Sequence, residues 1–427
     1  MDTLPPEPFE PPTAPSPTLT GPRRAAVVFV FITVTLDMLA LGIMIPMLPK
    51  LILSFVGDTA SAAHVFGLFS TCWALMQFLF SPALGALSDR FGRRPIILVS
   101  NFGLGIDYII MALAPTVGWL LVGRIVSGIA AASITTSSAY IADVTPPEKR
   151  AKAFGLIGAA FGVGFVLGPA VGGVLGEIGP RLPFWVAAGL SLLNGTYGLF
   201  VLPESLAQKY RVPVTWRRAN PLGALSMLRG HRGLVGLSAV VFLSQFAHVV
   251  LPSVVVLYAG YRYEWDARDV GLMLAGVGLC TMIVQGGLAG PVTKALGERR
   301  TLLFAIVCGA AAFAVFGLAS TGWAFLIGIP IMAFWGLAGP ACQSLMTRQV
   351  GPSEQGRLQG SNNSLNGIAN MIAPSVFTGV FVQFIGPWQS IGVPGAPFLV
   401  SLVFLLLAAL VGVFATRRSA VDGQAAL

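Results

Sequence analysis

Residues 85–95 read GALSDRFGRRP, one acidic and three basic residues between two long apolar runs. A second stretch of similar form, GPVTKALGERR, follows at residues 290–300. A charge inside a lipid core costs several kcal/mol, so clusters like these belong at a membrane surface. We therefore interpret both stretches as loops between membrane-crossing segments.

The composition also indicates a membrane protein. Of 427 residues, 55% are hydrophobic and only 10% are charged, with a mean hydropathy of +0.80, whereas soluble domains carry about 25% charged residues. The apolar runs are long enough to cross a ~30 Å hydrocarbon core as helices and too long for barrel strands. The predicted spans are 25–48, 62–86, 96–114, 117–141, 153–177, 182–203, 232–258, 268–292, 301–319, 321–345, 358–385 and 394–416.

The basic residues are spread along the chain rather than collected on one face. The net charge of +9 therefore does not indicate a nucleic-acid partner. Most of the 26 lysines and arginines fall in alternate loops, and the positive-inside rule then predicts that both termini are cytoplasmic. The four cysteines lack metal-ligand spacing, so we expect no metal site and no bound cofactor.

An internal duplication is visible at a shift of 205 residues. The superimposed pairs are Gly85 with Gly290, Gly92 with Gly297, Arg94 with Arg299, Pro147 with Pro352, Gly155 with Gly360 and Pro169 with Pro374. The predicted fold is an all-α membrane protein with 12 transmembrane helices in two pseudo-symmetric six-helix bundles. Two such halves around a central cavity are typical of secondary transporters.

This duplication sets the expected domain boundaries. Residues 1–22 are expected to form a disordered cytoplasmic tail, because they are rich in proline and lack an apolar core. The remaining divisions are an amino-terminal bundle at 23–203, a cytoplasmic loop at 204–231, a carboxy-terminal bundle at 232–418 and a tail at 419–427.

The charged loop has two interpretations, a conformational latch or an ordinary cytoplasmic turn. Its candidate latch residues are Gly85, Asp89, Arg90, Gly92, Arg93 and Arg94. The two glycines are expected to let backbones pass closely, and Asp89 to face an arginine or a helix amino terminus. The second copy keeps the glycines but has Lys294 in place of Asp89, so the acid is specific to the first copy.

Three charged residues lie deep in predicted helices, and all three are in the first half: Asp37, Asp107 and Arg124. Charges at such depth usually mark a pathway or a proton relay. We expect them to couple transport to protons in a wet central chamber, with Arg124 keeping one carboxylate ionised. The alternatives are local bonding of Asp37 to a threonine, an interfacial position for Asp107, and helix-to-helix bonding by Arg124.

Polar residues in other helices suggest a substrate cavity. Asn363, Asn366 and Asn370 share one helix face, which looks toward either a cavity or a neighbouring helix. The other candidates are Gln77, Gln245, His248 and Gln285, although a lone histidine is more often a packing group. The helix-5 element Gly164, Gly168 and Pro169 predicts close helix approach and bending.

Several motifs resemble one known family. GALSDRFGRRP, GRIVSGI (123–129) and GVGFVLGPAVGG (162–173) are similar to signatures of the major facilitator superfamily, the last to that of its drug/proton antiporters. LDMLALGIMIPMLP (36–49), AYIADVTPPEKRAKAFG (139–155) and RQVGPSEQGRLQGS (348–361) resemble the tetracycline efflux pumps. Those pumps carry a histidine on helix 8, where this chain has Thr281, and a carboxylate on helix 9, where it has Gly309.

The resemblance implies a function. It implies a proton-coupled antiporter that exports a hydrophobic or amphipathic drug across the bacterial cytoplasmic (inner) membrane by alternating access, with a tetracycline-like compound among the candidates. The alternative is a proton-coupled symporter or facilitator for a small metabolite. The expected partners are the lipid bilayer, protons and a small-molecule substrate, which a divalent cation can accompany. We expect a monomer with no enzymatic activity.

Overall fold

The structure is a computed structural model. It describes residues 21–131, 133–145, 147–206, 208, 211, 225, 228, 232–350 and 354–424, and the regular elements of this part of the chain are helical. They are α1 (Gly21–Met44), α2 (Met47–Val56), α3 (Thr59–Phe91), α4 (Arg93–Leu113), α5 (Val117–Ala130), α6 (Ser133–Val144), α7 (Pro147–Ile178), α8 (Leu182–Val201), α9 (Arg232–His248), α10 (Val250–Tyr263), α11 (Ala267–Ile283), α12 (Ala289–Leu318), α13 (Gly322–Trp335), α14 (Ala338–Thr347), α15 (Gln355–Ile385) and α16 (Ala396–Gln424). A π-helical turn, Val284–Leu288, links α11 to α12, and a 3₁₀ turn, Gln389–Ile391, precedes α16.

These helices form twelve membrane-crossing segments, several of which are broken. Nine stretches of the described chain are long and apolar enough to cross a membrane, and one of them, the 52-residue Ala267–Leu318, is long enough for two crossings. Gly297 divides it with a φ of +73° inside α12. Val117–Ala130 and Gly162–Ile178 are shorter apolar helices. The predicted twelve-helix fold is confirmed.

Each half packs around its own core. In the first half, α1 packs on α7 and α8, and α4 packs on α5 and α8. In the second half, α16 packs on α9 and α12, and α13 also packs on α12. The halves meet where α7 packs on α11, α3 on α15, and α10 on α2 and α3.

Close contacts between the halves lie toward the end that holds the turns after α2 and α10, which we call the outer end after the predicted orientation. Lys50 Nζ donates to the Trp265 carbonyl at 3.4 Å, and the hydroxyls of Thr71 and Ser375 are 2.8 Å apart. At the opposite, inner end, the ion pairs among the described residues each join side chains of one half. The halves are therefore held together at the outer end.

The helix-5 glycines lie where α7 crosses α1. A Cβ on Gly168 would lie 2.6 Å from Gly42 Cα, and a Cβ on Gly42 would lie 2.8 Å from the Gly164 carbonyl oxygen. Both distances are far below van der Waals contact, so the two backbones touch through glycine. Pro169 follows in the same helix and contributes to the wall of a cavity that lies mainly within the second half.

The predicted tails and the central loop fall largely outside the described residues. Residues 1–20, most of 207–231 and residues 425–427 are among those not described. The domain boundaries proposed from the sequence therefore stay predictions.

Candidate functional site

A cavity of about 530 Å³ lies mainly within the second half. Its wall comes from α9 to α15, with Ile45 and Pro169 contributed by the first half. Five of the residues predicted for a substrate cavity line it: Gln245, His248, Gln285, Asn363 and Asn366. Apolar and aromatic side chains form most of the remaining wall, among them Met273, Leu274, Phe316, Phe325, Met332 and Trp335.

The two other cavity candidates lie elsewhere. Gln245 Nε2 donates to Asn370 Oδ1 at 2.8 Å, so Asn370 joins α15 to α9 and does not line the cavity. Gln77 is half-buried on α3 and is not among the lining residues that the structure describes. Both alternatives for the asparagine face of α15 are therefore found. Asn363 and Asn366 line the cavity, and Asn370 bonds a neighbouring helix.

Several polar atoms on the cavity wall have no hydrogen-bond partner within the described part of the protein. They are Ser244 Oγ, Asn362 Oδ1 and Asn366 Oδ1. A buried polar atom without a partner costs about 1–3 kcal/mol, so these atoms favour binding of a ligand or water that bonds to them. The two amide oxygens accept, which favours a guest with N–H or O–H donors. Ser244 and Asn362, which are short polar residues in apolar surroundings, were not among the residues predicted for the cavity.

The described lining residues include no aspartate, glutamate, lysine or arginine, and His248 is their basic member. Its ring lies 5.5 Å from that of Trp335, centroid to centroid. The described lining therefore offers a ligand apolar contact and neutral hydrogen bonds rather than a fixed ion pair.

A buried ion pair lies in the first half. Arg124 Nη2 on α5 is 3.0 Å from Asp107 Oδ2 on α4, and the two side chains are 6% and 0% exposed. Gly123 makes room for the carboxylate, because a Cβ there would lie 2.7 Å from Asp107 Oδ1. Ser127, one turn after Arg124, accepts a hydrogen bond from Trp73 Nε1 at 3.3 Å.

Asp37 is buried at a different contact, between α1 and α8. Asn194 Nδ2 donates to Asp37 Oδ1 at 2.9 Å and lies 3.1 Å from the Thr33 carbonyl oxygen. Sequence analysis did not place Asn194 in the site. The signal in the sequence was an asparagine within a mostly apolar helix, and the structure buries it fully.

These charged residues do not face the cavity, which corrects one expectation. Asp37, Asp107 and Arg124 are absent from the lining of the cavity within the described chain. Each carboxylate instead bonds a side chain of its own half. This cavity and the buried charges are thus separate sites within the described residues, because the cavity lies mainly between helices of the second half.

The charged loop forms a network within the first half. Arg93 contacts Asp89 at 2.6 Å and Asp143 at 3.2 Å. Glu204, beyond α8, accepts from the backbone N–H groups of Arg93 and Arg94 at 2.9 and 3.3 Å. It thereby caps the start of α4, where free N–H groups favour a carboxylate. Arg94 donates to the Leu199 carbonyl at 2.6 Å, and Arg90 lies over the Phe91 ring.

The second copy of this network has the opposite polarity. Glu298 and Arg348, 205 residues after Arg93 and Asp143, are 2.6 Å apart. Gly297, like its counterpart Gly92, has a positive φ. The frame of the turn and the place of the ion pair are therefore repeated, while the charges are exchanged.

Gly92 and Gly85 differ in what they do. Gly92 has a φ of +107°, and a Cβ there would overlap the Glu204 carboxylate. A Cβ on Gly85 would meet nothing within 4 Å, so the expectation that Gly85 permits a close backbone approach is wrong. Gly85 lies within helix α3 with open space beside it.

This contrast gives a first prediction. Gly92→Ala should destabilise the protein by about 1–3 kcal/mol, through backbone strain and displacement of the Glu204 cap. Gly85→Ala should leave stability unchanged or slightly raised, because alanine is the better helix former. Thermal unfolding of the two purified variants in one detergent measures this, and equal melting temperatures would contradict it.

The two positions that depart from the tetracycline-pump pattern also lie near the cavity. Thr281 lines it. At Gly309 a Cβ would lie 2.7 Å from the Trp335 ring, so that ring occupies the space in which a larger side chain would stand. The Trp335 ring thus lies where the helix-9 carboxylate of the tetracycline pumps would be expected.

Known proteins are similar to this chain over most of its length. The sequence profile described as Major Facilitator Superfamily matches residues 30–374 and 288–426. The tetracycline resistance protein, class C, of Escherichia coli is 39% identical over 380 residues, which cover 88% of this chain and 95% of that protein. The class G protein of Vibrio anguillarum is 36% identical, covering 86% and 93%.

Solved structures share the fold. The human organic anion transporter MFSD10 (TETRAN) has a TM-score of 0.69 at 24% identity, covering 92% of this chain and 100% of that one. The nucleoside transporter NupG has a TM-score of 0.71 at 13% identity, covering 93% and 99%. The helical architecture, the repeat and these matches lead to one conclusion: the chain belongs to the Major Facilitator Superfamily, in the branch of the tetracycline resistance proteins.

Proposed function

We infer that this protein is a proton-coupled antiporter that exports a hydrophobic or amphipathic drug by alternating access. The observation that carries the inference is the largely apolar 530 Å³ cavity, whose wall holds unpartnered polar atoms and no fixed charge in the described residues. The names of the relatives, which are tetracycline resistance proteins, support export of a drug. A metabolite symporter is not favoured by these relatives.

Tetracycline is the first compound to test. A flat compound rich in hydroxyl and amide donors would pack on Trp335 and bond the asparagine oxygens of α15. A divalent cation is expected to accompany such a substrate as cargo. The cation would enter bound to the drug, with no protein carboxylate from the described lining as its ligand.

The buried charges of the first half are proposed to carry the proton. Asp37 and Asp107 are the carboxylates, and Arg124 holds Asp107 in place across 3.0 Å. Because a deep carboxylate is costly unless it is paired or protonated, gain of a proton changes the packing of α1, α4, α5 and α8. We further propose that both termini are cytoplasmic and that the monomer is the working unit.

The test is a drug-susceptibility panel in a pump-deficient bacterium. Cells with the unaltered chain should resist tetracycline or another amphipathic compound, and cells with Asp37→Asn should lose that resistance. The reason is that an asparagine keeps the size of the side chain but cannot take up a proton.

Asp58→Asn is the matched control. Asp58 caps α3 by accepting from Ser61 N at 2.8 Å, a role that asparagine also fills. It should keep full resistance. Resistance that persists with Asp37→Asn at equal protein level would refute the role of Asp37, and sensitivity unchanged by the unaltered chain for every compound would refute drug export.

A further inference from the structure

His248 stands at a break in the seventh membrane segment. It is the last residue of α9, and α10 begins at Val250. The intervening Val249 N–H lies 3.3 Å from both the Gln245 and the Phe246 carbonyl oxygens. Pro252, four residues after His248, has no N–H, so the His248 carbonyl lacks its helical donor. A break of this kind weakens the helix at one defined point.

The two parts of this segment have different neighbours. Helix α9 packs on α14, α15 and α16, all within the second half. Helix α10 packs on α15 and α16 and also on α2 and α3 of the first half. Both parts line the cavity, and the break separates a part that packs within the second half from a part that also contacts the first half near the outer end.

The ring of His248 is accessible from the cavity and lies beside Trp335 of α13. Unpartnered acceptors on the same wall are Ser244 Oγ, one helical turn earlier, and Asn366 Oδ1 of α15. The described lining from α9 to α15 carries no charged side chain, and its other titratable group is the Cys342 thiol, 3.8 Å from the Leu237 carbonyl. Among the described lining residues, His248 thus carries the imidazole, the side-chain type whose ordinary pKa lies closest to neutral pH.

We propose that His248 senses both proton and substrate, and that it controls the outer contact through the α9–α10 break. This rests on the proposed antiport function. A proton added to the neutral ring creates a second N–H donor, which bonds the unpartnered acceptors and keeps the outer end closed. A substrate with N–H or O–H donors takes the same acceptors, and the ring then releases its proton to the cytoplasmic side. Competition for one set of acceptors makes the two bindings exclusive, as antiport requires.

Transport measurements separate this role from a merely structural one. The probe is tetracycline with magnesium in everted vesicles, and the variant is His248→Gln, which keeps a polar side chain but cannot become charged. Proton-driven accumulation should fall by about tenfold or more, a normal size for coupling between two sites. Exchange of labelled for unlabelled drug, which needs no proton gradient, should fall much less than proton-driven accumulation. His64→Gln, the same change at the exposed start of α3, should affect neither.

A second measurement does not depend on transport. Hydrogen–deuterium exchange in nanodiscs would follow residues 59–71 and 250–263 at about pH 5.5 and about pH 8.5, which bracket the titration of an ordinary imidazole. After each rate is divided by the intrinsic amide exchange rate at the same pH, the unaltered protein should show greater protection of these segments at the lower pH, and His248→Gln should lose that difference in protection. If His248→Gln folds poorly, the same measurement is made on His248→Asn.

The outcomes distinguish the two proposals. If the unaltered protein moves no tetracycline, the proposed substrate is wrong. The hydrogen–deuterium exchange measurement then still tests the role of His248. This inference is overturned if His248→Gln keeps the pH difference in protection against hydrogen–deuterium exchange. It is also overturned if His248→Gln keeps full proton-driven accumulation of the drug.

Discussion

Replacing Arg124 with alanine is expected to destabilise the protein by about 3–5 kcal/mol and to abolish transport, because the Asp107 carboxylate would stay buried without its counter-ion. The carboxylate is fully buried and its partner nearly so, at a separation of 3.0 Å. The loss should appear as a lower melting temperature of the purified protein and as a smaller monodisperse fraction.

A double variant tests the physical reason. When Arg124→Gln is combined with Asp107→Asn, no buried charge remains, so most of the lost stability should return. Transport should stay lost, because neither side chain can exchange a proton near neutral pH. If the double variant is no more stable than Arg124→Gln alone, the cause is lost packing rather than an unpaired charge.

Arg348→Ala is the matched control. Arg348 also contacts a carboxylate, at 2.6 Å from Glu298, but its side chain is 71% exposed. Exposed ion pairs contribute about 0–1 kcal/mol, so this variant should melt close to the unaltered protein. A loss as large as that of Arg124→Ala would show that burial does not set the difference.

The sequence was sufficient for the fold because the membrane leaves few choices. Apolar runs of membrane length must be helices, and the repeat with its paired glycines indicated two matching halves. Breaks inside segments were harder to predict. The break at His248 depends on a proline four residues later, a signal that is present in the sequence but is common to many intact membrane helices.

The site was predicted less completely, since polar residues in apolar helices identify what is buried but not what they face. Asn366 and His248 do line the cavity, whereas Asn370 on the same helix face bonds Gln245. Asp37 bonds Asn194, 157 positions away in the chain. Such pairings depend on how helices are rotated against each other, which the packing of the whole bundle determines.

The last prediction concerns the contact between α1 and α7. Gly168→Ala is expected to destabilise the protein by about 1–3 kcal/mol and to impair transport, because the added methyl group would overlap the backbone of α1. The nearest atom, Gly42 Cα, would lie 2.6 Å from the new Cβ, and a backbone atom cannot rotate away as a side chain can. Moving α1 aside would also shift Asp37, which lies on that helix, away from Asn194.

Gly189→Ala is the control for this change, since Gly189 is helical in α8 and a Cβ there would meet nothing within 4 Å. It should melt at the same or a slightly higher temperature, because alanine favours the helix where there is room. Melting temperature and drug accumulation measured together decide the matter. If Gly168→Ala matches Gly189→Ala in both, the two helices have room to separate, and the glycines of the helix-5 element are not what holds α1 and α7 at this distance.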